Sequence, residues 1–143
     1  MTRRLARELA MKTLFSCEFG HDNSEEMLIQ LCEEMQASFE AQRFSEYLVQ
    51  GVISNQLFLD KAIKTYAMEW DLERIAFVDK NIMRITLYEL IFSENTPVAV
   101  AINEALEIAK IYSGNEAPRF INGILGKVIK DLPELRKQSL KEN

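Results

Sequence analysis

Arg3, Arg4, Arg7 and Lys12 crowd the first twelve residues, with Glu8 the one acid among them. The remainder of the chain carries 13 bases and 21 acids, so a segment of net +3 is joined to a body of net −8. General solubility does not require that split. It points to a local anion site, and the planar guanidinium fork suits phosphate oxygens. On a helical wheel Arg4, Arg7, Glu8, Met11, Lys12 and Glu18 lie opposite an apolar stripe of Leu5, Leu9, Ala10, Thr13, Leu14 and Cys17. Phe15 falls with the basic residues, and two readings of it stand. Its ring could stack an unpaired base between phosphate-holding arginines, or it could pack beneath a neighbouring helix with the arginines as a solvated cap. The free N–H groups of a helix N-terminus would add to an anion site at Arg3 and Arg4.

A second unusual face lies near the other end of the chain. Arg119, Asn122, Gly123, Gly126, Lys127 and Lys130 share one arc of a helix, Ile121, Ile124, Leu125, Val128 and Leu132 share the opposite arc, and Phe120 sits at the border. Two glycines weaken a helix by roughly 1 kcal/mol each relative to alanine. They permit close approach of another backbone, a neighbouring helix first of all, with room left for a ligand beside the bases. Catalysis finds little support. His21 is the single histidine and reads as a solvated turn residue. There is no Cys/His set with metal-ligand spacing, no glycine-rich phosphate loop and no nucleophile motif. Glu33, Glu34, Glu104 and Glu107 read as solvated helix faces or as i,i+4 partners of the kind Glu8 makes with Lys12. No enzyme activity, cofactor or metal is therefore expected.

The elements that must position these residues are helices. The chain has 143 residues, 48% of them hydrophobic, which is enough for a core and argues against global disorder. Five glycines, three prolines and no sustained alternation leave helical periodicity throughout, so the fold class is all-α. Helices are expected over about 3–18, 25–39 (with Asn23 and Glu26 at capping-box spacing), 44–68, 78–92, 98–112 and 118–132, plus a short turn at Leu72–Ile75 capped by Asp71. Met27, Met35, Phe39, Tyr47 and Val100 are placed on buried stripes. The helix Val78–Phe92 is apolar around most of its circumference and should be central, with only a strip at Lys80 and Arg84 wet. Pro133 is read as the stop of the last helix. This gives a compact bundle of about seven helices in two halves with a seam near residue 70: an N-terminal half over about 1–69, a C-terminal half over about 70–133, and a polar tail over 134–143 that frays. No apolar run approaches the roughly 20 residues of a membrane span, and no uninterrupted apolar stretch follows the basic start as a secretory signal would require. Cys17 and Cys32 read as reduced core residues, and nothing demands a disulfide between them. The expected compartment is the cytoplasm.

Three segments together are similar to the NusB family. They are RRLARELAMKTLF (3–15), which resembles the family's arginine-rich opening R-R-x-A-R-x-x-A, VDKNIMRITLYEL (78–90), and VAINEALEIAKIYSGNEAPRFINGIL (100–125). They occur in the family's order and at about its separations, and the resemblance covers nearly the whole chain. It implies an all-α fold of two helical subdomains, no catalysis, and binding of single-stranded boxA-like RNA together with a small-subunit ribosomal protein, NusE. That pair would join other Nus factors on RNA polymerase and promote antitermination on ribosomal RNA operons. By the same resemblance Arg3, Arg4, Arg7, Phe15, Glu116 and Phe120 are RNA-contact residues, the bases Lys12 and Arg119 beside them are expected to join them, and Asp79 and Arg84 are contacts to the ribosomal protein. Lys12 stands where many relatives have Gln, Phe15 replaces a Tyr while keeping the stacking face, and Asp79 replaces a longer Glu. Two alternatives accompany this reading. One is a helical protein–protein adaptor with little RNA affinity, which the acidic body favours. The other is the RNA-binding lobe of an RNA methyltransferase, against which the chain's end at residue 143 counts. An exposed apolar face could also support a homodimer that hides the basic arm.

Overall fold

The computed structural model describes residues 2–20, 23–93 and 95–142. His21 and Glu94 lie outside the described residues. Eight α-helices and one 3-10 turn follow in order: α1 (Thr2–Cys17), α2 (Ser24–Glu34), α3 (Phe39–Ser54), α4 (Gln56–Ala67), the turn Leu72–Arg74, α5 (Phe77–Phe92), α6 (Val98–Tyr112), α7 (Ala117–Lys130) and α8 (Leu132–Glu142), with no strand among the described residues.

Local chemistry explains most of the boundaries. Asn23 Oδ1 accepts from the Glu26 N–H at 2.9 Å and starts α2. The expected run to residue 39 ends early because Gln36 turns left-handed (φ 51°) and the Ala37 N–H closes back on the Cys32 carbonyl at 2.9 Å. Ser38 Oγ then accepts from the Ala41 N–H at 3.1 Å, so α3 begins at Phe39 rather than near Phe44. The single helix expected over 44–68 is two. Asn55 ends α3 by donating its side-chain amide to the Gly51 carbonyl at 2.8 Å, and α4 restarts at the next residue. Pro133 does not stop the chain but sits in the first turn of α8, where a missing N–H costs nothing. The segment expected to fray is thus a helix. Its Leu132, Leu135 and Ser139 are buried, and Arg136 donates twice to the Leu90 carbonyl (3.1 and 2.9 Å) near the end of α5.

Helix α5 is the axis of the bundle. It touches α1, α3, α4, α6, α7 and α8, and every residue from Asp79 to Ile91 is buried. The wet strip expected on it does not exist, since Lys80 is 7% and Arg84 4% exposed. Lys80 lies over the Phe77 ring at 4.9 Å, and the Arg84 charge is compensated by partners. Arg84 donates to Asp60 of α4 (2.7 and 2.8 Å), to Glu18 just after α1 (2.8 Å) and to Asn81 (3.0 Å). Burial pulls its guanidinium pKa down, but the hydrogen bonds to Asp60 and Glu18 more than offset that and hold it above the ordinary value. Gly51 on α3 lets α5 come close, because a Cβ there would lie 2.0 Å from the Tyr88 ring. At Gly123 and Gly126 of α7 a Cβ would meet nothing within 4 Å, so these two glycines serve no close helix packing. Several residues assigned to buried stripes are instead exposed, among them Met35, Phe39, Tyr47 and Val100. No helix of the described residues is long and apolar enough to cross a membrane.

Candidate functional site

The basic start of the chain forms the first turns of α1, a helix that packs on α2, α3 and α5. That packing decides the fate of each arginine. Arg3 is exposed, and its guanidinium carbon lies 3.9 Å from the centroid of the Phe44 ring. Arg4 is partly exposed and donates both Nε (3.1 Å) and Nη2 to the two carboxylate oxygens of Glu104 on α6. That hydrogen-bonded pairing holds the Glu104 carboxyl below its ordinary pKa and the Arg4 guanidinium above its own. Glu104 is therefore no solvated surface acid, contrary to its reading from spacing.

Arg7 departs furthest from the wheel. It is 5% exposed, not solvent-facing, and Met11 one turn later is buried too. Its Nε and Nη2 donate to the two oxygens of Glu89 at 2.7 and 2.8 Å, and Nη1 lies 3.6 Å from Glu104. Glu89 also accepts from Thr96 at 3.2 Å. The counter-ion lies 82 positions away in sequence, so no local pattern could have announced this buried fork.

Further along α1, Lys12 holds its ammonium 5.3 Å from the Tyr112 ring. The Glu8–Lys12 pair suggested by spacing is not among the ion pairs of the described residues. The pairings Arg4 to Glu104 and Lys12 to Tyr112 advance in the same direction along α1 and α6. Phe15 is half-buried in a short chain of rings, 4.9 Å from Phe19, which in turn meets Phe77 edge-on at 5.4 Å. Phe15 satisfies neither extreme reading, being packed on one side and open on another. Among the described residues no group of His, Cys, Asp and Glu could hold a metal ion.

Beyond Tyr112 the chain turns and begins α7, and here the structure assembles a second site. Asp79 on α5 faces the same space as Glu116, Arg119 and Phe120 at the start of α7 and as Trp70 and Arg74 ahead of α5. Together with Ile75 and Ala76 they line a cleft of about 380 Å³. Trp70 and Phe120 meet edge to face at 5.4 Å. Asp79 is 8% exposed, yet its Oδ1 has no hydrogen-bond partner among the described residues. A buried acceptor left without a donor costs roughly 1–3 kcal/mol. Arg74 has only a loose ion pair to Asp71 at 3.8 Å, with both side chains mostly in water. The sequence reading singled out neither Trp70 nor Arg74. A lone tryptophan outside every apolar stripe, beside a charged turn, was the signal available. Asp79 and Arg84, paired in that reading, point to different places. Asp79 lines the cleft, whereas Arg84 is enclosed by Asp60 and Glu18.

This architecture has known counterparts. Residues 4–130 match the model of the NusB family. The transcription antitermination protein NusB of Heliobacterium modesticaldum is 41% identical over 136 residues, which is 95% of this chain and 66% of that protein, so the chain spans just under two thirds of that relative's length. Among solved structures, T. maritima NusB superposes with a TM-score of 0.85 at 33% identity, covering 95% of this chain and 96% of that one. A crystal structure of the antitermination factors NusB and NusE in complex with double-stranded RNA matches with a TM-score of 0.82, covering 90% of this chain and 96% of that one, and at 23% identity that likeness is one of fold. With the match running from the arginine-bearing start of α1 through the last residue of α7, the chain belongs to the NusB family.

Proposed function

We propose that this protein is an RNA-binding transcription antitermination factor. In this reading it holds a single-stranded, boxA-like RNA together with the small-subunit ribosomal protein NusE, and through them acts with other Nus factors on RNA polymerase in the cytoplasm. The observation that carries the reading is the cleft at the start of α5 and α7. An unpaired Asp79 oxygen seeks a donor, Trp70 and Phe120 offer ring faces, and Arg74 and Arg119 offer positive charge. An unstacked base fits that description, since it brings N–H donors on its edge, a π face, and a phosphate on either side. Glu116, beside Asp79, would accept from the same or the next base.

The arginine end of α1 would serve the backbone. Arg3 and Arg4 are the phosphate contacts, Lys12 follows them along the helix, and Phe15 offers a partly open ring. Arg7 acts as a positioning residue that anchors Glu104 and Glu89 under that surface. Arg84 would reach the ribosomal protein only by fixing Glu18 and Asp60, which present the more accessible carboxylates. The names of the family relatives support the antitermination role, and the crystallised NusB–NusE–RNA assembly supports the choice of partners.

One observation favours the adaptor alternative: Arg4, Arg7 and Arg84 already have carboxylate partners within the fold. The test is fluorescence anisotropy of a labelled boxA-like strand and a scrambled strand, with and without the ribosomal protein. Preference for the boxA-like strand, strengthened by the partner, is expected, because two ligands sharing one composite surface are thermodynamically coupled. Equal weak binding of both strands with no effect of the partner would leave the adaptor reading.

A further inference from the structure

We infer that the first two turns of α3 form an additional RNA-stacking surface, which carries the strand past the arginine end of α1. This rests on the RNA reading above and extends it to residues outside the family-matched motifs quoted earlier. Phe39, Arg43 and Tyr47 follow one another at i, i+4 and i+8, so they form a single stripe about 12 Å long. Phe39 is 73% and Tyr47 41% exposed. The Arg43 guanidinium carbon lies 5.6 Å from the Phe39 ring centroid, Arg3 sits over Phe44, and Phe44 and Tyr47 stack at 6.1 Å with 17° between their planes. These residues and Glu40 line an open cleft of about 610 Å³.

Two features select a nucleic-acid strand as the occupant. The first is charge. Among the described residues Arg3 and Arg43 have no ion pair, unlike Arg4, Arg7 and Arg84, so the guanidinium groups lining this cleft remain available to an anion and outnumber its one carboxylate, Glu40. The second is continuity. Arg3 lines both this cleft and the adjoining one that holds Arg4, Arg7 and Thr96. A backbone neutralised at Arg3 and Arg4 is therefore delivered directly onto the aromatic stripe. Aromatic rings alternating with guanidinium groups match the stacked bases and phosphates of a single strand.

The experiment compares affinities for a core boxA-like strand and for the same strand extended by uridines at its 5′ or its 3′ end. One extension is expected to tighten binding about fivefold or more, as one additional stacked base would. Phe39→Ala and Tyr47→Ala should each erase that gain and leave core-strand affinity intact, whereas Phe39→Tyr should keep it. Arg43→Gln should lower the salt slope for the extended strand by about 0.7. Exposure of these side chains lets the variants fold, which far-UV circular dichroism checks. No gain from either extension, with the core strand still bound, would overturn this inference and leave the RNA reading standing. A gain that survives in the Phe39→Ala/Tyr47→Ala double variant would overturn it as well. So would concentration-dependent dimerisation abolished by Phe39→Ala, which would assign the stripe to a second copy. Failure of the core strand itself to bind would remove the RNA reading and this inference with it.

Discussion

Replacing Glu89 by leucine probes whether Arg7 is an interior strut or an RNA contact. Leucine keeps most of the volume but removes both acceptors of the Arg7 fork and the acceptor of Thr96. Glu89 is 1% exposed and Arg7 5%, so the guanidinium would be left charged, desolvated and without its bidentate partner. Breaking a buried pair in this way costs about 3–5 kcal/mol. Glu104, 3.6 Å from Arg7 Nη1, retains part of the compensation and places the expected loss near the lower figure. For a chain of this length that corresponds to a fall in Tm of about 10 °C, readable by circular dichroism and urea titration. The companion variant Arg7→Met/Glu89→Leu removes both charges, and should recover most of the loss because an apolar pair needs no compensation. Its RNA affinity should stay within about threefold of the parent, with an unchanged salt slope. Two results would refute the reasoning. A Glu89→Leu cost below about 1 kcal/mol would mean that Arg7 does not depend on Glu89. A tenfold loss of RNA affinity in the double variant, with a salt slope flatter by about 0.7, would make Arg7 a phosphate contact.

Three further outcomes follow from the same geometry. Glu104→Gln removes the carboxylate that competes with phosphate for Arg4, so RNA binding should tighten and its salt slope steepen in anisotropy titrations. Because Arg4 holds the Glu104 carboxyl below its ordinary value of 4.5, the pair's contribution to stability is present above that pH and is lost as pH falls through the lowered folded value. The Tm difference between parent and Glu104→Gln should accordingly be seen at neutral pH and vanish in acid. Gly51→Ala drives a methyl group into the Tyr88 ring, itself packed 5.2 Å from both Tyr47 and Phe92, and should destabilise the fold by about 1–3 kcal/mol in urea. Asp79→Leu removes an unpaired buried oxygen, so the free protein should hold or gain Tm while RNA affinity falls about tenfold, and a fall in Tm would show that Asp79 has an internal partner.

The candidate site divides along the same physical line as the fold. Arg4 and Phe15 could be singled out from one helix wheel because their relation is local, about three whole turns of α1 apart. The cleft around Asp79 could not, since Trp70, Asp79 and Phe120 come from three elements and meet only when α7 packs beside α5. The family resemblance supplied Asp79 and Phe120 separately, yet assigned them to different ligands. Similarly, periodicity places Phe39 at the end of the buried stripe of a helix over 25–39 and Tyr47 on that of a helix over 44–68, and only the cap at Ser38 puts both on α3. Periodicity reports that residues share a face, but a neighbouring helix must arrive to cover it, and here α5 reaches only Tyr47, through Tyr88, and leaves Phe39 open.

By itself the sequence determined the all-helical class, the central place of α5, the span of α6 and the Asn23 cap of α2, because each follows from contacts within four residues or from an apolar surplus that only an interior can absorb. Tertiary structure alone decided which charges are spent and which are free. Arg7 and Arg84 look like surface residues along their own helices. Their carboxylate partners stand 82, 66 and 24 positions away and reach them only through the packing of α1, α4 and α5. Desolvation then binds those guanidinium groups to the core, while Arg3 and Arg43 stay exposed without an ion pair among the described residues, a division set by the environment each charge acquires on folding rather than by residue type.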